Sequence, residues 1–199
     1  MTDSFKAKAA EWDSPMKVAM SQKFVDELLK NVKFEKSFKA MDLGCGTGLV
    51  GLKIIDKVKS MVMLDNSKSM IDKLKEKISN QNITVVNGTV DKYYTKDIDV
   101  VFSSMAFHHI ENIQSTIEHI SSILKPDGYL VIGDLKEEDG SFHGEEKVAH
   151  NGFNIEQLAK QMENSEFDVI TVYSYNTISK NEIDYEQFII VAQKNSQNQ

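Results

Sequence analysis

Asp42, the glycines Gly44, Gly46 and Gly48, and Asp65 form the group of residues in this sequence best suited to hold a ligand. Glycines that close a strand let the chain turn sharply and let a ligand approach the backbone, and a helix that follows presents unpaired amides that favour an anion. Two registers overlap here. Gly44-x-Gly46-x-Gly48 is one; Gly46-x-Gly48-x-x-Gly51 is the other, and it matches a dinucleotide fingerprint. Asp42 stands directly before the turn, where its charge would repel a pyrophosphate but suits a ligand carrying an ammonium and a sulfonium. Asp65 follows about twenty residues later, at the position from which a carboxylate accepts hydrogen bonds from both ribose hydroxyls. No arginine stands nearby to hold a 2′-phosphate. These residues favour S-adenosylmethionine over NAD and disfavour NADP.

A second set of candidates lies further along. His108 and His109 follow the fourth expected strand and Asp134 the fifth, and ligands of open α/β sheets sit at those carboxyl ends. The long connection Gly133 to Asn151 adds Phe142, His143, Gly144 and His150, and long loops in compact domains are often lids or binding loops. His108, His143 and His150 are therefore the candidate acid–base groups, although a pair such as His108-His109 also reads as packing beneath a site. His143, His150 and Asp134 are suitable metal-ligand types, but no tight ligand spacing joins them and no metal is expected. Glu137-Glu138-Asp139 and Glu145-Glu146 read as a solvated face. Cys45 is expected to line the turn as a small residue rather than to react.

The elements that must position these groups follow from apolar periodicity. Met20, Phe24, Leu28 and Val32 recur at helical spacing after Ser14-Pro15, a capping residue and a first helical position. Phe38 to Leu43 reads as a strand entering the glycine turn, and Leu49 to Val58 as the helix leaving it. Strands are expected at Met61 to Leu64, Ile83 to Val86, Asp99 to Ser103 and Tyr129 to Ile132, with helices at Lys68 to Ile78 and Ile113 to Leu124. Lys125-Pro126-Asp127-Gly128 reads as a turn. Val100-Val101-Phe102 and Leu130-Val131-Ile132 are continuously apolar, as strands covered on both faces must be. A helix at Ile155 to Met162 precedes two β-rich runs, Phe167 to Ile178 and Tyr185 to Gln193, expected to pair antiparallel. The fold class is α/β: a doubly wound, Rossmann-like, mostly parallel sheet with a C-terminal antiparallel strand pair. Residues 1–35 are expected to form a helical cap segment on one structural domain, 36–194.

Met41-Asp42-Leu43-Gly44-Cys45-Gly46-Thr47-Gly48, Leu64-Asp65-Asn66-Ser67, Asp99 to Ser104, His108-His109-Ile110 and Leu124 to Gly128 resemble, in order, the motifs of the class I S-adenosylmethionine-dependent methyltransferases. The match is nearest to the branch acting on small molecules, whose members often begin with an element similar to Trp12-Asp13. The resemblance implies that Gly44 to Gly48, Cys45 included, line the methionine part and that Asp65 holds the ribose. It also implies that Asn66 and Met70 flank the adenosine, that Thr89 and Val90 belong to the loop receiving the adenine edge, and that Ser103 to Met105 pass beside the methionine amine. Thr89 stands where the family commonly has an acid; Thr89 itself or Asp91 would accept from the adenine amino group. Trp12 reads either as a core anchor or as a ring near the cofactor.

The implied reaction is in-line transfer of a methyl group to a small-molecule acceptor, leaving S-adenosylhomocysteine. Positioning alone supplies on the order of 7 to 11 kcal/mol, and a general base adds about 10² to 10⁴ in rate only where the nucleophile arrives protonated. The loop from Gly133 and the segment around Trp12 are expected to cover the acceptor. An NAD-dependent oxidoreductase and a non-catalytic S-adenosylmethionine-binding domain are the competing readings.

Composition limits the partners. The 199 residues carry a formal net charge of -7, and every basic residue is lysine. The chain therefore lacks the planar forks that grip phosphates and base edges, and nucleic acid is not the expected substrate. No apolar run is long enough to span a bilayer, no leader is visible in the first residues, and the single cysteine fits a reducing compartment. A cytoplasmic location is expected.

Overall fold

A computed structural model describes residues 9–79 and 82–196. Seven strands form one sheet: β1 (Lys39–Leu43), β2 (Ser60–Asp65), β3 (Ile83–Asn87), β4 (Ile98–Ser104), β5 (Leu124–Leu135), β6 (Phe167–Lys180) and β7 (Ile183–Lys194). Their order is β3-β2-β1-β4-β5-β7-β6. β1 to β5 pair in parallel, and β7 inserts antiparallel between β5 and β6. The expected α/β class and the antiparallel C-terminal pair are both present. Burial explains the placement of the pair. Phe188 to Ala192 of β7 are all buried, as an interior strand requires, whereas β6 alternates between partly buried and exposed residues along the edge.

Helices cover both faces. α1 (Pro15–Asn31), α2 (Gly51–Ile54) and α3 (Lys68–Lys77) pack Phe24, Leu28, Ile54, Ile71 and Leu74 on one side. α4 (Ile113–Ile123) and α5 (Ile155–Glu163) pack Ile117, Ile120, Leu158 and Met162 on the other. α1 begins as expected: Pro15 opens it and the Ser14 hydroxyl accepts from the Lys17 amide at 3.4 Å.

Two local expectations need correction. The helix expected over Leu49 to Val58 is only α2 followed by a 3-10 turn, Ile55–Lys57. Val50 supplies no side-chain cap, so the first turn depends on Asp42, whose Oδ2 accepts from the Gly51 amide at 2.9 Å. The expected turn Lys125 to Gly128 lies inside β5 as a bulge, between the pairs Ile98/Leu124 and Val100/Tyr129. Lys125 Nζ donates to both Asp99 oxygens at 2.8 and 2.9 Å, which holds the bulge against β4.

The connection from β5 to α5 is tied at its base by the parallel bridge Lys136/Phe153. Gly152 makes this possible: its φ is +72°, and a Cβ there would stand 2.1 Å from the Lys136 carbonyl oxygen. Gly152→Ala combines a left-handed penalty of about 1–2 kcal/mol with overpacking of about 1–3 kcal/mol. The expected result is a melting temperature lower by about 5–15 °C, at roughly 2–4 °C per kcal/mol. Differential scanning calorimetry checks this.

Candidate active site

The carboxyl ends of β1, β2, β4 and β5 converge on the glycine turn. Gly44, Gly46 and Gly48 all have positive φ, at +73°, +51° and +89°. Gly44 is pressed against the chain leaving β4, since a Cβ there would stand 2.3 Å from the Cβ of Ala106. Gly46 faces outward, where a Cβ would meet only Trp12 Nε1 at 3.6 Å, and a Cβ on Gly88 after β3 would meet nothing within 4 Å. The space bounded by Gly46, Asp65 and Gly88 is therefore an open cradle.

The amides of this turn are used internally. Gly44 and Cys45 both donate to the Leu64 carbonyl at 2.8 and 3.1 Å, Gly48 donates to the Cys45 carbonyl at 2.8 Å, and Gly46 donates to Asp65 Oδ2 at 2.8 Å. The other Asp65 oxygen accepts from the Ser67 amide at 2.8 Å. A pyrophosphate needs such amides and the start of the following helix; here both are engaged, the helix start by Asp42. This geometry disfavours the dinucleotide reading of Gly46-x-Gly48-x-x-Gly51. Gly51 serves close packing instead, with Met63 Cε, Asp42 Oδ2 and Met61 Sδ all within 3 Å of where its Cβ would be.

Asp42 is 2% exposed. Burial pushes its carboxyl up to about 7 against the Gly51 hydrogen bond, and the charge of Asp65 adds to the rise. It lies beneath the turn, where its Oδ2 holds the Gly51 amide. The Cys45 thiol is buried and held well above its ordinary range by burial, then by Asp42 and Asp65. Ser103 is likewise occupied: its hydroxyl donates to the Leu43 carbonyl at 2.8 Å, joining β4 to β1. Met70 is buried in the first turn of α3, where its amide donates to the Ser67 hydroxyl at 3.2 Å. Asn66 and Thr89 are exposed beside the cradle and Val90 is buried. The Asp91 carboxyl is lowered chiefly by a hydrogen bond with Thr89, so the two residues weighed for the adenine edge are joined. Trp12 stands at the turn rather than in the core, with the Lys17 ammonium 3.1 Å from its ring centroid. The neighbouring Asp13 bonds the Thr47 hydroxyl and pairs with Lys77.

The histidines divide. His108, 3% exposed, presents Nδ1 to Asp134 Oδ1 at 2.7 Å, and its amide donates to Asp134 Oδ2 at 3.3 Å. Burial works most strongly against its imidazolium, but the charge and hydrogen bond of Asp134, together with Glu146 and Glu138, outweigh it and hold its pKa above that of ordinary histidine. His109 and His143 pack against it with tilted rings at centroid distances of 4.3 and 4.7 Å. Burial pushes His109 down to about 4, aided by His108, and the same two causes lower His143. His150 is not in this cluster. Its Nε2 meets the Ile110 carbonyl at 2.9 Å and its ring packs 5.5 Å from Phe153, so it fastens the loop. Among the described residues no group of three His, Cys, Asp or Glu is arranged to hold a metal ion.

Two acids read as solvated are only partly exposed. Glu138 turns inward because its Oε2 accepts the amides of Gly140 and Phe142 at 2.8 and 3.2 Å, which leaves Oε1 buried and unpaired. Glu146 is half-buried, and its charge is felt at His108, His109 and His143. The signal for Glu138 was the Glu-Asp-Gly-Ser turn, in which a carboxylate readily caps the amides that follow. Met105 was missed as a conformational signal: it leaves β4 with φ of +53°, its amide donating to the Gly133 carbonyl at 2.8 Å.

Known proteins resemble this chain in sequence and in fold. Residues 40–128 match a family described as a methyltransferase domain. An uncharacterised methyltransferase of Schizosaccharomyces pombe is 30% identical over 164 residues, covering 70% of this chain and 58% of that protein. A malonyl-[acyl-carrier protein] O-methyltransferase of Ilyobacter polytropus is 30% identical over 141 residues, covering 65% of this chain and 54% of the relative. The chain thus spans about half the length of the curated relatives it matches. A Haloferax volcanii chain, from a structure of the Trm112 methyltransferase activator in complex with a methyltransferase, shares the fold. Its TM-score is 0.81 at 18% identity, with 98% of this chain and 99% of that chain covered.

Proposed function

Because residues 40–128 match a methyltransferase-domain family, we propose that this chain is a class I S-adenosylmethionine-dependent methyltransferase that binds S-adenosylmethionine at the glycine turn and transfers the methyl group to a small-molecule acceptor. The observation that carries the reading is the use of the turn's own amides and of Asp42. The site offers no free anion cradle at the start of α2, while two carboxylates, Asp42 and Asp65, give it a field suited to a cation. The open side of Gly46 and Gly88 fits a nucleoside beside Asp65. The cofactor supplies an electrophilic methyl on a good leaving group.

The chain's residues then have mainly to position. Gly44 to Gly48 hold the amino-acid part close to the backbone. Asp65 accepts the ribose hydroxyls, with Asn66 and Met70 flanking the adenosine and Thr89 and Val90 at the adenine edge. Ser103 to Met105 set the β4 end against the methionine amine. Trp12, the loop after β5 and an apolar cluster of Met20, Met105, Phe142, Leu135, Ile178 and Tyr185 form the wall facing the acceptor. Displacement is in line, with the product S-adenosylhomocysteine. The formal net charge of -7 and the arginine-free composition favour a metabolite over a nucleic acid.

Isothermal calorimetry tests the reading directly: binding of S-adenosylhomocysteine with none of NADH is expected, and the reverse overturns it. Asp65→Ala is expected to weaken S-adenosylhomocysteine by about 1.5–3 kcal/mol, the worth of hydrogen bonds to a charged group. Unchanged affinity would mean that the ribose lies elsewhere.

A further inference from the structure

The connection after β5 folds back over the end of β4 and brings three imidazoles together, with His109 and His143 6.3 Å apart across His108. Two polar atoms of that connection are buried with no hydrogen-bond partner, His143 Nε2 and Glu138 Oε1. Buried polar atoms are ordinarily paired, so two orphans on one loop segment, beside a histidine held by a buried aspartate, mark a place built for a polar ligand. Aromatic rings border it: Phe142 meets His143 and Tyr185 edge to face at 5.0 and 5.1 Å. It adjoins the glycine turn, because Ala106, two residues before His108, lies against Gly44.

Building on the methyl-transfer reading above, we propose that this cluster receives an acceptor bearing a hydroxyl on a planar ring, and that His108 is the catalytic residue that takes the hydroxyl proton. Asp134 engages Nδ1, which fixes the tautomer and leaves Nε2 as the basic nitrogen. Glu138 Oε1 can only accept, so the acceptor also brings a second donor, as a vicinal dihydroxy ring does. A ring hydroxyl with a pKa of about 10, like that of tyrosine, stays protonated near neutrality and is acidic enough for an imidazole to help. The acceptor O–H bond breaks with its proton going to His108 Nε2. The oxygen lone pair forms the O–CH₃ bond while the S–CH₃ electron pair returns to sulfur, and the imidazolium later releases the proton to water.

The charged and titratable groups around His108 are Asp134, Glu138, Glu146, His109 and His143. Asp134 is the positioning residue. It keeps His108 basic, so the alkaline plateau of the pH–rate profile begins at the His108 pKa and moves to lower pH when that charge is removed.

The test uses the full chain, labelled S-adenosylmethionine and two catechol probes, 4-nitrocatechol, which is ionised at about pH 8, and 4-methylcatechol, which is not. His108→Gln is expected to lower kcat for 4-methylcatechol about 10²-fold or more while changing 4-nitrocatechol by less than about 5-fold. Equal losses with both probes, or no loss, overturn the proton role. Transfer by the wild type to 4-nitrothiophenol or benzylamine but to neither catechol overturns the acceptor class, as does no transfer to any probe with S-adenosylhomocysteine still bound. Failure of the wild type to bind S-adenosylhomocysteine overturns the methyl-transfer reading, and this inference with it. Should His108→Gln not fold, Asp134→Asn decides: a shift of the wild-type limb to lower pH with 4-methylcatechol supports the role, and a loss of amplitude with the limb unmoved overturns it.

Discussion

Asp42→Asn is expected to stabilise the protein by on the order of 4 kcal/mol at about pH 8 and by nothing below about pH 4. The folded state raises this carboxyl from 3.8 to about 7 because it is buried, with Asp65 adding its charge. Between those two values the folded chain binds a proton that the unfolded chain does not, so stability falls as pH rises through that window and the full cost is present above about 7. About three pKa units at roughly 1.4 kcal/mol each give the estimate. Asparagine keeps an oxygen for the Gly51 amide and removes the buried charge. Chemical denaturation of both proteins across the pH range gives the difference curve, and a flat difference would contradict it. On the methyl-transfer reading proposed above, the field of this carboxylate favours a cationic ligand. The same substitution is therefore expected to lower the affinity for S-adenosylmethionine more than that for S-adenosylhomocysteine, whose sulfur is neutral.

Gly44→Ala is expected to lower the affinity for S-adenosylhomocysteine more than about 100-fold and to lower the melting temperature by about 5–15 °C, as overpacking and a left-handed non-glycine residue together cost about 2–5 kcal/mol. A Cβ 2.3 Å from that of Ala106 cannot be accommodated by a rotamer change, since neither atom has a flexible end. The turn or the chain leaving β4 must move, and that chain carries His108. Gly88→Ala is the internal control: a Cβ there meets nothing, and its melting temperature is expected to stay at the wild-type value. Wild-type calorimetric affinity in Gly44→Ala would show that the turn is not the binding site.

Local patterning made much of the fold readable. The continuous runs Val100-Val101-Phe102 and Leu130-Val131-Ile132 could only be interior strands, and they lie at the centre of the sheet. The polar break before Tyr185 separated two strands that do pair antiparallel. The misplaced boundaries have a common cause, which is that the deciding partner is distant in sequence. α2 begins only at Gly51, whose amide is held by Asp42 of β1, and Lys125 to Gly128 stay in β5 because Asp99 of β4 holds the bulge. Neither contact leaves a trace in local periodicity.

The site divides in the same way. Residue types at the ends of β1 and β2 made the glycine turn and its two flanking carboxylates legible, because glycine conformational freedom and carboxylate charge are properties of the residues themselves. Tertiary structure decided how the groups are used. It put Asp42 beneath the turn on the Gly51 amide, fastened His150 to the Ile110 carbonyl, gathered His108, His109 and His143 over Asp134, and turned Glu138 inward. Those outcomes depend on burial and on long-range pairs, whose energies exist only once the loop after β5 is closed over β4.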